Sequence, residues 1–160
     1  MQGEMMRMNF ALSSGKLILM EEAVEQMLGY RQLDLKDKEA GGLLIGRFPL
    51  QGNHRVVESV TVPYFMDRRR RSFFFRSCFH NLKLHRAWKI SSSTLTLLGA
   101  WHTHPEPVPT PSSTDLKDWN SLLRKGKYEG SSLVFLIVGT ERTNAWIGFK
   151  NGVCKQLTEL

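Results

Sequence analysis

A chain of 160 residues is the size of one ordinary domain, residues 1–160, and its 41% hydrophobic content supplies a real core. With 23% charged residues it is not a disordered type of composition. The formal net charge of +7 suits an acidic partner, yet the basic residues lack the aromatic interleaving of single-strand nucleic-acid binders, so nucleic acid is not the expected ligand. No apolar run reaches membrane-spanning length, and the opening MQGEMMRMNFALSSGKL has no apolar signal region, so a soluble cytoplasmic protein without membrane contact is expected. Cys78 and Cys154 lie far apart, form no CxxC pair and read as ordinary, partly buried thiols.

In chain order, Met20 to Leu33 places Ala23, Val24, Met27 and Leu28 at helical spacing behind an acidic first turn and predicts an amphipathic helix. Gly41 to Phe48 is short, apolar and bounded by glycine, which predicts a buried strand. His54 to Val62 alternates and should pair with it through the PLQGN turn. Arg68 to Arg71 reads as a solvated loop, and Ser72 to Phe75 as a third strand. A second helix is predicted in SCFHNLKLHRAWKISS, an apolar strand in TLTLLGAWHTH, and a third helix in STDLKDWNSLLRKG. SLVFLIVG, NAWIGFKNG and VCKQL complete the set as strands. The alternation predicts a mixed α/β fold with one central, mostly antiparallel sheet flanked by helices.

The chemistry concentrates in WHTHPEPVPTPSSTDLKDW. His102 and His104 close a predicted strand, where residues two apart share a face about 6–7 Å apart. Two imidazoles so placed can converge on one ion, and a catalytic zinc takes three protein ligands of the His and carboxylate kind plus water. The prolines at 105, 107, 109 and 111 end the strand and enforce a rigid loop that can return the chain over the strand end. Ser112 then stands as N-cap of the next helix with Asp115 in its first turn, where the pair also reads as a capping box. Glu39, just before Gly41 and Gly42, is a candidate acid near the ion, although a glutamate there is ordinarily a solvated loop residue.

His102-Thr-His104-Pro, six residues, Ser112, two residues, Asp115 resembles the JAMM motif HxHPx6Sx2D at every fixed position, and Glu39 followed by GGLLIG resembles that family's separate glutamate strand. The resemblance implies a JAMM/MPN (cytidine-deaminase-like) fold and a zinc isopeptidase that removes ubiquitin or ubiquitin-like modifiers. It implies Zn²⁺ held by His102, His104 and Asp115, Glu39 as general base, and the Ser112 hydroxyl as an oxyanion donor. LLGAWHTHPEPVPTPSSTDLKDW is further similar to the CD-NTase-associated protein 3 subgroup of CBASS antiphage operons in bacteria. That likeness implies, as partner, the C-terminal tail of a cGAS-like nucleotidyltransferase (CD-NTase) and its protein conjugates. An extended tail is expected to pair with an exposed strand edge, with the basic face around Arg68–Arg71 reading the partner's identity. Two alternatives share the family: a processing peptidase for a sulfur-carrier or other ubiquitin-like protein, and a non-catalytic MPN scaffold.

Overall fold

The computed structural model describes residues 7–160, so the first six residues of the opening stretch lie outside it. The chain begins with a hairpin that the sequence reading passed over. β1 (Met8–Ala11) and β2 (Lys16–Leu19) pair antiparallel around a turn containing Gly15 at φ +83°. A Cβ there would lie 2.2 Å from the Asn53 carbonyl oxygen, so the turn needs glycine. α1 (Glu21–Leu28) follows and ends five residues earlier than the predicted helix. The chain leaves the helix at Gly29 through short i→i−3 turns at Tyr30 and Arg31, which leaves Leu33 exposed and turns Gln32 inward.

β3 (Gly41–Arg47) and β4 (Arg55–Val60) form the expected antiparallel pair, with a bulge at Ile45/Gly46. The arginine run is no loop: β5 (Arg68–Arg70) and β6 (Phe73–Phe75) form a separate two-stranded hairpin turning at Arg71 and Ser72. α2 (Phe79–Ile90), β7 (Thr96–Thr103), α3 (Ser113–Lys125), β8 (Ser132–Val138), β9 (Thr143–Phe149), β10 (Cys154–Gln156) and β11 (Thr158–Glu159) complete the order. Among the described residues, nine strands make one sheet in the order β10-β9-β8-β7-β3-β4-β2-β1-β11. Only the β7–β8 and β2–β4 pairs are parallel, so the sheet is mostly antiparallel, and the mixed α/β prediction holds.

Alternation along the strands divides the core into two layers. Leu44, Leu98, Trp101 and Leu136 pack with α1 residues Ala23, Val24 and Met27 on one face. Leu43, Ala100, Phe135 and Ile137 pack with Trp119 and Leu123 of α3 on the other. β8 is buried at every position and apolar from Leu133 to Val138, as a strand covered on both faces must be. Cys154 is half-buried as expected, whereas Cys78, just before α2, is exposed. No helix among the described residues is long and apolar enough to cross a membrane.

Candidate metal centre

The site lies at the carboxyl end of β7. Strand alternation sends Trp101 and Thr103 to the α1 face and His102 toward the α3 face, 6.4 Å between ring centroids from Trp119. After His104 the proline loop takes over. Proline carries no N–H but keeps its carbonyl, and backbone carbonyls of the loop are what the neighbouring turn holds. Thr140 N donates to Glu106 O at 2.8 Å, Arg142 N to Pro107 O at 3.0 Å and Asn144 Nδ2 to Pro109 O at 3.0 Å. The β8–β9 turn therefore clamps the loop and delivers the chain to the start of α3.

At that start the capping box is complete. Ser112 Oγ accepts from Asp115 N at 3.1 Å, and Asp115 Oδ2 accepts from Ser112 N at 2.8 Å. The box also aims the carboxylate at the histidines. Asp115 Oδ2 lies 2.9 Å from His104 Nε2, Asp115 Oδ1 lies 3.1 Å from His102 Nε2, and the two Nε2 atoms are 3.1 Å apart. Glu39 Oε1 stands farther off, 3.9 Å from His102 Nε2. All four side chains are buried, and their donor atoms lie within 4.8 Å of one another. Glu39, His102, His104 and Asp115 are thus brought together from three separate elements. Ser112 joins only as the cap: it is exposed, and its hydroxyl bond to Asp115 N uses the oxygen and leaves the O–H proton free to donate.

Burial pushes the Glu39 carboxyl up to about 8; His104 opposes this and Asp115 reinforces it. Burial also works against charge on Asp115 and His104, but is outweighed in both. Hydrogen bonds from His102 and His104 hold Asp115 far below the ordinary carboxylate range, and Asp115, Glu39 and Glu106 raise His104. Glu106 Oε2 stands 3.4 Å from His104 Nδ1, which favours the proton on Nδ1 and leaves the Nε2 lone pair for the site.

The donor set fits a metal ion. Tetrahedral ligands bonded at about 2.0–2.1 Å lie about 3.3 Å apart, close to the 2.9–3.1 Å that separate the two imidazole nitrogens from each other and each from an oxygen of the Asp115 carboxylate.

Residues 21–148 match the family model for prokaryotic homologs of the JAB domain. The chain belongs to the JAB/MPN family. Proteins called CD-NTase/cGAS isopeptidase are similar along most of its length. The one from Vibrio cholerae serotype O1 is 36% identical over 135 residues, covering 84% of this chain and 81% of that one. The one from Pseudomonas aeruginosa is 36% identical over 118 residues, 73% of each. A solution structure of a Desulfitobacterium hafniense protein shares the JAB/MPN fold at TM-score 0.61 and 23% identity, over 86% of this chain and 87% of that one.

Three features of this JAB/MPN site escaped the sequence. The first is the β5–β6 hairpin, whose strand β6 lines the mouth with Phe73 to Phe75 opposite Thr114, Asp115 and Asp118 of α3. β6 pairs only with β5 among the described residues, so its second edge is free. The second is the Arg76–Asp118 ion pair, at 3.2 and 3.3 Å, which joins the end of β6 to α3. The third is the hold on Glu39, whose N–H donates to Arg70 O at 2.7 Å and whose carbonyl accepts from Arg69 Nε at 2.9 Å. Gly41, two residues after Glu39, allows a close approach of the strands: a Cβ there would lie 2.5 Å from Trp101 O and 2.8 Å from the Phe74 ring.

Proposed function

We propose that this JAB/MPN protein is a zinc-dependent isopeptidase of the bacterial cytoplasm. In this reading it cuts the bond between the C-terminal tail of a CD-NTase and a protein conjugated to it. The observation that carries the chemistry is the 2.9–3.1 Å triangle of His102, His104 and Asp115 donors with Glu39 set apart at 3.9 Å. The names of relatives that share about a third of their residues support the substrate class.

His102, His104 and Asp115 hold the ion in this proposal. Zinc bound there supplies Lewis-acid polarisation of the scissile carbonyl and acidifies a water at its open position. Glu39 takes the proton of the attacking water and later delivers it to the leaving lysine amine. Burial raises the proton affinity of this carboxyl, which suits it to take up a proton and hand it on. The Ser112 O–H donates to the oxyanion. The tail adds as a strand to the free edge of β6, so backbone bonds hold it extended at the mouth, while the globular partner supplies discrimination.

The test is cleavage of a CD-NTase fused through its tail to a reporter, beside a ubiquitin fusion. The proposal expects a cut at the CD-NTase junction, lost with chelator and restored by zinc, and poor cutting of ubiquitin. Efficient cutting of ubiquitin with the CD-NTase fusion untouched overturns the substrate. No cutting of either by zinc-loaded protein overturns the enzyme.

A further inference from the structure

Thr103 stands between the two histidines but points to the opposite face of the sheet. It is fully buried, and so is Gln32, just beyond α1. At this point the β3–β7 ladder ends in an unusual way. Thr103 N still donates to Ala40 O at 2.8 Å, but Ala40 N donates to the Thr103 hydroxyl, at 2.9 Å, in place of the backbone carbonyl. Thr103 Oγ1 in turn donates to Gln32 Oε1 at 2.9 Å. Gln32 Nε2 donates to Arg71 O at 2.9 Å and to Asp37 O at 3.3 Å, so both its amide protons have acceptors. Arg71 is covalently next to Arg70, whose carbonyl accepts from Glu39 N.

The bonds close a ring: Glu39–Ala40, Thr103, Gln32, Arg71–Arg70 and back to Glu39. We propose that Thr103 and Gln32 are positioning residues. Through this ring Thr103 holds Glu39 in register with the histidine pair, and Gln32 ties that register to the hairpin flanking the mouth. The inference rests on the reading of Glu39 as the base. The ring makes the swing of Glu39 away from the sheet a fixed displacement, because the N–H released from the ladder has one acceptor and that acceptor is carried by the ligand strand itself. A buried polar ring of this kind is satisfied only as a whole, so loss of one member loosens the rest.

The two residues act on different steps. Thr103→Val keeps shape and removes the hydroxyl. It should retain one zinc and lower kcat on the order of 10²-fold, the cost of a base misplaced by about 1 Å. Its KM should stay within about threefold of wild type, since substrate contacts are untouched. Thr103→Ser should recover kcat to within about threefold, because the hydroxyl and not the methyl carries the role. Gln32→Met frees Arg71 O at the hairpin turn and should raise KM more than it lowers kcat. The double variant should be slowed less than the product of the single effects.

The assay is kinetics on the CD-NTase tail fusion, with zinc content and amide hydrogen exchange measured on the same proteins. Exchange at Ala40 should speed up by at least about tenfold in Thr103→Val, while Leu136 in the central strand keeps its protection. Thr103→Val with full zinc and wild-type kcat overturns the proposal. So does Thr103→Ser as impaired as Thr103→Val, or unchanged protection at Ala40. If Thr103→Val does not fold, Gln32→Met decides: KM unchanged with Ala40 still protected overturns the ring. If wild-type protein cuts no tail fusion, the substrate reading fails, and Ala40 exchange alone then decides whether the ring holds that strand.

Discussion

Two buried histidine–carboxylate groups sit on either side of β3, and they are built to opposite ends. At Asp67, His80 and Thr61 every acceptor meets a donor. Asp67 accepts from Tyr64 N at 2.7 Å, Ser77 N at 2.8 Å and His80 Nε2 at 2.8 Å. The Nε2 proton therefore belongs to Asp67, His80 Nδ1 is left as an acceptor, and the Thr61 hydroxyl, 2.6 Å away, donates to it. Burial keeps this imidazole neutral by lowering its pKa, although Asp67 opposes the shift. At His102, His104 and Asp115, by contrast, three donor atoms crowd one point, and His104 is raised by the carboxylates around it. A histidine beside a carboxylate is thus a structural pin when every acceptor around it is met by a donor. It is a metal-ligand candidate when several acceptors share one centre.

Substitutions can break this contrast from either side. The largest effect is expected at Glu39: Glu39→Ala should abolish cleavage while keeping zinc and fold, and loss of metal or a near wild-type rate would refute its role as base. Next, Ser112→Ala should lower kcat about 10²–10³-fold, the usual loss for one oxyanion donor. The vacated cap should also cost about 1 kcal/mol of stability. A stability loss without a kcat loss would leave Ser112 a cap alone. On the structural side, His80→Ala removes one of the three donors to the buried Asp67 carboxylate, leaves the Thr61 hydroxyl without its acceptor and opens a cavity. It should cost about 3 kcal/mol, seen as a melting temperature lower by roughly 6–12 °C. Zinc binding should be intact, and a loss of stoichiometry would dissolve the distinction.

The smallest effect is on metal-free protein. Between the ordinary carboxyl value of 4.5 and about 8, folded Glu39 binds a proton that the unfolded chain has released. Raised His104 adds to this above its ordinary 6.5. His80, whose pKa is lowered, opposes this below its ordinary 6.5, so the fall in stability with rising pH should be clearest between 6.5 and about 8. Thermal melts of chelated protein should show this decline, flattened in Glu39→Gln. A flat or rising wild-type profile would contradict the burial of Glu39.

The candidate ligand set was legible in the sequence because its spacing is local. A strand end, a proline loop and a helix cap together fix His102, His104 and Asp115 within one stretch, and the capping box appears as read. Glu39 was legible only through the family resemblance, since nothing near it in the chain marks a glutamate for burial. The first hairpin left a signal that went unread, two apolar segments flanking SSG in NFALSSGKLIL. The arginine run misled because charge was weighed without the pairing it could make. Phe73 to Phe75 lie one turn away, and Arg69 and Arg71 spend their donors on the carbonyls of Glu39, Asp34 and Leu35. Gln32, Thr103, Asp67 and His80 act through partners as far as 71 residues away, a separation no local pattern encodes.

The most direct test of the contrast is zinc stoichiometry across four proteins: wild type, Glu39→Gln, His80→Ala and His102→Ala. One zinc per chain is expected in the first three and none in the last. Full zinc in His102→Ala, or a wild type that takes up none when zinc is supplied, would contradict the assignment of this cluster as a metal centre.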